Sequence, residues 1–281
     1  MTNKNEGKII ISVAPVGKEM RDGDVANPLK PADVARQVIA CADAGAAMVH
    51  LHVRDAHGGP TAKLDEFRGT LDMIRRGSDI IIQGSTGGAP NLSLEERCVS
   101  LKEPRVEVAS LNMGTVNFGD GTYINTVPDI RYWAGQMKEH RVQPELEVFD
   151  LSMMGTSAGL LSDATLEPPL HFNFCLGFPG ALSADADMLL YLKSKLPVGS
   201  SWGLIHDGMK DFSLLAAAVG MGASGIRVGF EDSAYYAKDR KARENVELVE
   251  RLVSMVRQMG LQIASPSEAR EMLGLQIPPK E

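Results

Sequence analysis

Eight short runs of apolar and β-branched residues recur along the chain, and each is followed by a stretch with helical periodicity. The runs cover 8–14, 46–52, 79–85, 106–113, 145–149, 170–176, 201–206 and 225–230. The periodicity predicts helices from about residue 32 to a stop at Gly45, then over 65–76, 93–102, 129–140, 157–164, 184–195, 212–221 and 242–259, with a short closing helix over 267–273. Strands that are apolar on both faces belong to parallel sheets covered by helices. Eight βα units in a single chain of 281 residues, 44% of them hydrophobic, fit a closed (β/α)8 barrel that runs through 1–281 as one domain. An open doubly wound sheet is the competitor, but it would expose edge strands, and none of these runs carries the Pro or charge that blunts an edge.

Composition narrows the partners. A formal charge of −7 argues against a general nucleic-acid or anionic-membrane surface and toward a small-molecule ligand. No charged-then-apolar leader opens the sequence and no apolar run approaches the ~20 residues of a membrane helix, so a cytoplasmic location is expected. The three cysteines, Cys41, Cys98 and Cys175, lack paired spacing and are read as buried thiols. No Gly-x-Gly-x-x-Gly opens a helix, and Ser85-Thr86-Gly87-Gly88 is too short for a phosphate loop.

The second run ends in His50-Leu51-His52-Val53-Arg54-Asp55. Period-two geometry puts His50 and His52 on one face with Cα atoms about 7 Å apart, so both imidazoles can reach one ion off the strand end. Two histidines satisfied by neighbouring carboxylates are the competing reading. In a (β/α)8 barrel the C-terminal strand ends carry the active site. The polar residues that fall there are Arg54, Asp55, Ser85, Thr86, Asn112, Thr115, Glu147, Asp150, His206, Arg227, Glu231 and Asp232, with Glu19 in the long first loop. By alternation Arg227 and Glu231 share a face of the eighth strand, which closure brings within one strand of the second. His50, His52 and Glu231 then make the three-ligand set of a catalytic zinc site with an open fourth position, against the alternative of an Arg227–Glu231 ion pair with bystander histidines. His206 ends its strand and is read as a substrate contact, while His171 begins its strand, at the stability end of the barrel.

His-x-His-Val-Arg-Asp at 50–55, Ser-Thr-Gly-Gly at 85–88, Ala-Ser-Leu-Asn at 109–112 with Val-Asn-Phe-Gly-Asp at 116–120, Glu-x-Phe-Asp at 147–150, Arg-Val-Gly-x-Glu-Asp at 227–232 and Asn-x-x-Leu-Val-Glu at 245–250 together resemble the β-keto acid cleavage enzymes. The resemblance implies a zinc-dependent acyl exchange in which a β-keto acid and acetyl-CoA give acetoacetate and a new acyl-CoA. It matches His50, His52 and Glu231 to the zinc ligands, Arg227 and Asp232 to the acid–base pair, Ser85 to a substrate-binding serine and Glu19 to a substrate-contacting glutamate. Asn112, Thr115 and Glu147 fall at matching strand ends as further substrate contacts, and a homotetramer is implied.

The chemistry is consistent with those residue types. A cation stabilises the enolate formed when a proton leaves the carbon between keto group and carboxylate, and Asp232 beside Arg227 is a sensible base for that proton. The basic residues Lys238, Arg240, Lys241 and Arg243 follow the eighth strand and suit the phosphates of a CoA tail, with Tyr235 and Tyr236 nearby; a solvated helix start explains the same run. Family members carry a glycine-rich segment with Arg or Gln after strand seven, where this chain has 204–210 (LIHDGMK), so the acyl group stays open. Met153, Met154, Phe174 and Phe178 would favour an uncharged tail if they reached the mouth, although core packing suits them equally. Rival classes are a metallo-amidohydrolase, which places its His-x-His on strand one, a class II aldolase, which needs a sugar-phosphate site, and a non-enzymatic binding barrel.

Overall fold

The computed structural model describes residues 7–17, 25–87 and 92–275. Eight parallel strands form the barrel: β1 (Lys8–Val13), β2 (Met48–Leu51), β3 (Ile81–Gly84), β4 (Val106–Asn112), β5 (Gln143–Val148), β6 (His171–Leu176), β7 (Ser201–His206) and β8 (Gly225–Val228). Each pairs with the next, and Ile10 to Val13 pair with Gly225 to Val228 to close the ring. The helices are α1 (Pro31–Ala44), α2 (Leu64–Arg75), α3 (Leu94–Arg97), α4 (Val127–His140), α5 (Ser152–Ser162), α6 (Ala186–Ser194), α7 (Ser213–Gly220), α8 (Asn245–Gln258) and α9 (Pro266–Leu273). The expected (β/α)8 barrel is the fold observed.

Two apolar layers follow from the strand pattern. The larger fills the space between strands and helices, with Ile11, Val49, Ile82, Leu111, Leu146 and Phe172 buried against the helical stripes. A smaller one joins Ile10, Met48, Ile81 and Val108 to Ala269 and Leu273 of α9. That helix is tied down by Lys8 to Glu268 and by Arg270, whose Nε and Nη2 reach Glu107 at 2.5 and 2.9 Å. It packs at the N-terminal end of the strands and so leaves the opposite end for chemistry.

Several boundaries differ from the sequence reading, each for a local reason. The helix expected over 93–102 breaks after one turn, and a 3-10 turn (Val99–Lys102) follows, because Ser100 is buried with its hydroxyl donating to Ser85 O at 3.1 Å. α5 starts five residues early, where Asp150 Oδ1 accepts from Ser152 N at 2.9 Å. Two antiparallel hairpins, Val116–Phe118 with Gly121–Tyr123 and Tyr235–Ala237 with Arg240–Lys241, lie in segments where no strand was expected.

The most consequential difference is at β8, which stops at Val228. Gly229 has φ +139°, and its Cα lies so close to β1 that an added Cβ would meet Ala14 O at 2.2 Å. Only glycine tolerates both. The alternation that was expected to carry Arg227 and Glu231 on one face therefore ends at Val228. A turn aims Glu231 instead, held by Glu231 N to Ala14 O at 3.1 Å and Asp232 N to Gly229 O at 3.0 Å. Asn245, fully buried at the start of α8, secures the same corner by accepting from Phe230 N at 2.9 Å and donating to Pro15 O at 3.0 Å. Gly229→Ala should destabilise the protein by about 3 kcal/mol or more through that clash and strain. Denaturant unfolding checks it, and a variant as stable as the wild type would show that the corner relaxes freely.

Candidate active site

The C-terminal mouth encloses a cavity of about 400 Å³ whose wall includes His50, His52, Ser85, Glu147, Arg227 and Glu231. Glu231 Oε1 lies 3.7 Å from His50 Nε2, and Glu231 Oε2 lies 3.6 Å from His52 Nε2. One ligand atom from each of the three residues falls within 4.8 Å of the others. These separations are too long for hydrogen bonds. They are close to the roughly 3.4 Å between ligand atoms that tetrahedral coordination at about 2.0–2.1 Å produces.

The protonation pattern supports the same fit. β2 and β3 pair with His50 opposite Gln83, and Gln83 Oε1 sits 2.8 Å from His50 Nδ1. An amide oxygen there takes the Nδ1 proton, which leaves Nε2 as a bare lone pair facing a carboxylate. Burial pushes His50 down to about 3, against the pull of Glu231, so the ring is neutral. Burial opposes ionisation of Glu231, yet the positive charge that faces it, Arg227 included, holds it well below the usual carboxylate range. The His50 lone pair and the Glu231 carboxylate, facing each other beside His52, suit a cation.

Beside this triad Arg227 grips Asp232 with two parallel bonds, Nε to Oδ2 at 2.9 Å and Nη2 to Oδ1 at 2.6 Å. Its Nη2 also reaches Glu231 Oε1 at 3.5 Å. Nη1 is buried, has no hydrogen-bond partner among the described residues and lies 3.8 Å from Glu147 Oε1. Burial pushes the Glu147 carboxyl up to about 8 despite Arg227, with Glu145, Glu231 and Asp232 adding to the rise.

Not every strand-end residue reaches the cavity. Ser85 does, and its hydroxyl accepts from Gly87 N at 3.0 Å. Asn112 is buried off the wall and accepts from Gly114 N at 3.0 Å, while Thr115 is turned to Asn125 N at 2.9 Å. His206 is half-buried, with its pKa lowered by burial, and is not on the wall. Glu19 lies outside the described residues. Of the four apolar candidates only Phe178 lines the cavity, packed with Phe118 and Phe149 at ring-centre distances of 5.3 and 4.9 Å. Met153, Met154 and Phe174 are core.

Sequence reasoning missed two positioning residues. Gln83 was absorbed into an apolar run, though a lone amide in such a run is a usable signal. Arg97 stacks 4.1 Å over Trp133 and bonds Thr86 O, Ile124 O and Asn125 Oδ1 at 3.1, 2.8 and 2.6 Å, which pins the Ser85 turn to the first hairpin.

A family model described as beta-keto acid cleavage enzyme matches residues 8–275. The chain belongs to the β-keto acid cleavage enzyme family. It is similar to the 3-keto-5-aminohexanoate cleavage enzymes of Fusobacterium nucleatum, at 38% identity over 95% of this chain and 98% of that one, and of Acetoanaerobium sticklandii, at 39% over 95% and 98%. A more distant member is the 3-oxoadipate:acetyl-CoA acetyltransferase of Cupriavidus necator, 32% identical over 95% of this chain and 94% of that one. Among solved structures the apo form of ObcA matches with a TM-score of 0.75 at 23% identity, over 89% of this chain and 66% of that one, a likeness of fold.

The raised Glu147 carboxyl carries a stability signature. Between the ordinary value of 4.5 and about 8 the native state holds a proton that the unfolded state has released. Stability is therefore highest below that window and falls as pH rises through it, by at most about 1.4 kcal/mol per pH unit from this group. Thermal unfolding between pH 6 and 8 should show a decline that Glu147→Gln flattens. An unchanged slope in the variant would assign the decline to other groups.

Proposed function

We propose that this β-keto acid cleavage enzyme catalyses a zinc-dependent acyl exchange, converting a β-keto acid and acetyl-CoA to acetoacetate and a new acyl-CoA. The observation that carries the reading is the convergence of His50, His52 and Glu231 on one cavity whose wall Arg227 joins, with Asp232 off the wall and gripped by Arg227. His50, His52 and Glu231 hold the metal, which when bound neutralises the negative charge that develops as the substrate enolises. A keto acid docks with its reacting carbons between this cluster and Asp232, and Ser85 orients the carboxylate end.

Asp232 removes the proton from the carbon between the keto and carboxylate groups. Arg227 keeps the base ionised and aimed through its two bonds, at the expense of some basicity. The enolate carbon attacks the thioester carbonyl of acetyl-CoA and expels the CoA thiolate. That thiolate attacks the original keto carbon, the bond between that carbon and the former enolate carbon breaks, and the proton held by Asp232 returns to the departing acetoacetate enolate. One carbon–carbon bond forms, one breaks, and no electrons are gained or lost. Nη1 of Arg227, without a hydrogen-bond partner among the described residues, gives the developing oxyanion a donor at the cavity wall. A cytoplasmic homotetramer belongs to the same reading. In support of the location, no helix among the described residues is long and apolar enough to cross a membrane.

Zinc-loaded protein incubated with a panel of β-keto acids should release acetoacetate only when acetyl-CoA is present. Turnover without acetyl-CoA would point instead to a hydrolase or aldolase. His50→Ala and Glu231→Ala should lose both bound metal and turnover, whereas Asp232→Asn should keep the metal and lose turnover by about 10²-fold or more. Gln83→Leu, which frees the His50 ring, should weaken metal affinity by about 10–100-fold. Equal metal content in wild type and His50→Ala protein would overturn the ligand assignment.

A further inference from the structure

Four aromatic rings pack on one another along the cavity wall. The Phe149 ring centre lies 4.9 Å from that of Phe178 and 6.5 Å from those of Phe118 and Tyr123. Phe118 closes the set, 5.3 Å from Phe178 and 6.0 Å from Tyr123. The rings come from three segments that backbone bonds tie together. Gly119 N of the first hairpin donates to Pro179 O at 2.9 Å, and Leu182 N donates to Phe149 O at 3.2 Å. Arg97 holds the same hairpin through its bond to Ile124 O at 2.8 Å, and its guanidinium carbon stands 5.2 Å from the Tyr123 ring centre. A wall fixed in this way is preorganised, so little ordering entropy opposes an apolar group that enters.

This apolar box adjoins the reacting groups. Phe149 follows Glu147 by two residues, about 7 Å further along the chain. An added Cβ on Gly87 would meet the Tyr123 hydroxyl at 2.7 Å and Ser85 Oγ at 3.1 Å, so the phenol turns its oxygen to the Ser85 turn. Charged groups on the wall are placed elsewhere or already engaged. Among the described residues that line the cavity, the carboxyl groups are Glu96, Glu147 and Glu231 and the cations are Arg54, Arg97 and Arg227. Glu231 and Arg227 belong to the reacting cluster, Glu147 is pushed up to about 8, and exposed Glu96 accepts from Ser93 N at 2.9 Å. Arg97 spends Nε, Nη1 and Nη2 on Thr86 O, Ile124 O and Asn125 Oδ1. Arg54 stands two residues from His52, bonded to Gly58 O at 2.7 Å. None of residues 204–210 lines the cavity, so that loop brings no charge to it. A charged tail would lose water in the box without gaining a partner, whereas a hydrocarbon tail gains by leaving water.

We propose that the aromatic box receives the tail of the keto acid, and that this tail is an uncharged hydrocarbon chain, in preference to an amino-substituted or carboxylated one. The assignment rests on the acyl-exchange reading for the reaction and adds the substrate class to it. Phe118, Tyr123, Phe149 and Phe178 select the tail and take no part in bond making.

Two measurements on the full-length, zinc-loaded protein test it. Calorimetry with 3-hydroxy acids, which lack the keto group and do not turn over, should show affinity rising about fourfold per added methylene from 3-hydroxybutanoate to 3-hydroxyhexanoate. 3-Hydroxyadipate and 5-amino-3-hydroxyhexanoate match 3-hydroxyhexanoate in carbon count and should bind about tenfold more weakly or worse. Phe118→Ser should flatten the chain-length dependence to below about twofold per methylene. Equal affinity for these three acids overturns the proposal, as does an affinity that ignores chain length. So does a Phe118→Ser variant that raises KM for acetyl-CoA and keeps the wild-type chain-length dependence, since the box would then hold the thioester. In kinetics with acetyl-CoA, 3-oxohexanoate should release acetoacetate faster than 3-oxoadipate or 5-amino-3-oxohexanoate. The reverse order sinks the tail assignment and leaves the acyl exchange standing. Hydrocarbon selectivity in binding with no acetoacetate from any keto acid leaves the box standing and sinks the acyl exchange. The wild-type series decides the matter even where Phe118→Ser fails to fold.

Discussion

The barrel closes where the end of β8 lies directly on the backbone of Ala14, and the site depends on that contact. Gly229 permits the approach, since any Cβ would meet backbone atoms of Ala14 at 2.2 to 2.8 Å. The same turn hands the Glu231 amide to Ala14 O, and Asn245 locks Phe230 and Pro15 on either side. A carboxylate from the last strand thereby arrives beside two imidazoles from the second, with β1 between them. Neither strand could supply the triad alone.

Rigidity at this corner matters because the groups it places are expensive to bury. A guanidinium and a carboxylate taken out of water recover the loss only with good geometry. The paired bonds from Arg227 to Asp232 at 2.9 and 2.6 Å provide that geometry. The polar interior continues below, where Asn173 donates to Glu145 at 2.7 Å and His171 meets Ser201 Oγ at 2.7 Å. His171 at the start of β6 is thus a packing partner in the barrel floor, far along the strand from the mouth, in keeping with its position in the sequence.

The fold was legible because eight apolar runs and eight helical stripes leave few ways to bury both. The ligand triad was legible because strand order makes β8 and β2 near neighbours once the barrel closes. What was hidden depends on turns. Glu231 points inward through the turn at Gly229 and not by strand alternation. Thr115 and His206 stand at strand ends as expected, but the chain beyond each strand decides where a side chain goes, and Thr115 is spent on Asn125 N. The hairpins of two- and three-residue strands are too short to show a period, so the Phe118 and Tyr123 wall and the clasp of Arg97 were invisible. Gln83 was concealed by its neighbours, since one amide does not disturb the apolar character of a strand.

Charge balance ties these features together at the site. Glu231 is held ionised, Arg227 is bonded through two nitrogens to the Asp232 carboxyl, and the imidazole of His50 is neutral. With its carboxyl pushed up to about 8, Glu147 carries little charge near neutral pH. Glu231 therefore faces the imidazoles with Asp232 already paired to Arg227, and a divalent cation held there as proposed would turn the site toward anions. An ionised Glu147 would cancel the attraction for the substrate, so its burial between Arg227 and the aromatic wall keeps the cavity receptive to an anion. A site built from three carboxylates can then take an acidic substrate, with Glu147 neutralised by burial, Asp232 paired with Arg227, and Glu231 facing the imidazoles where the proposed metal would sit.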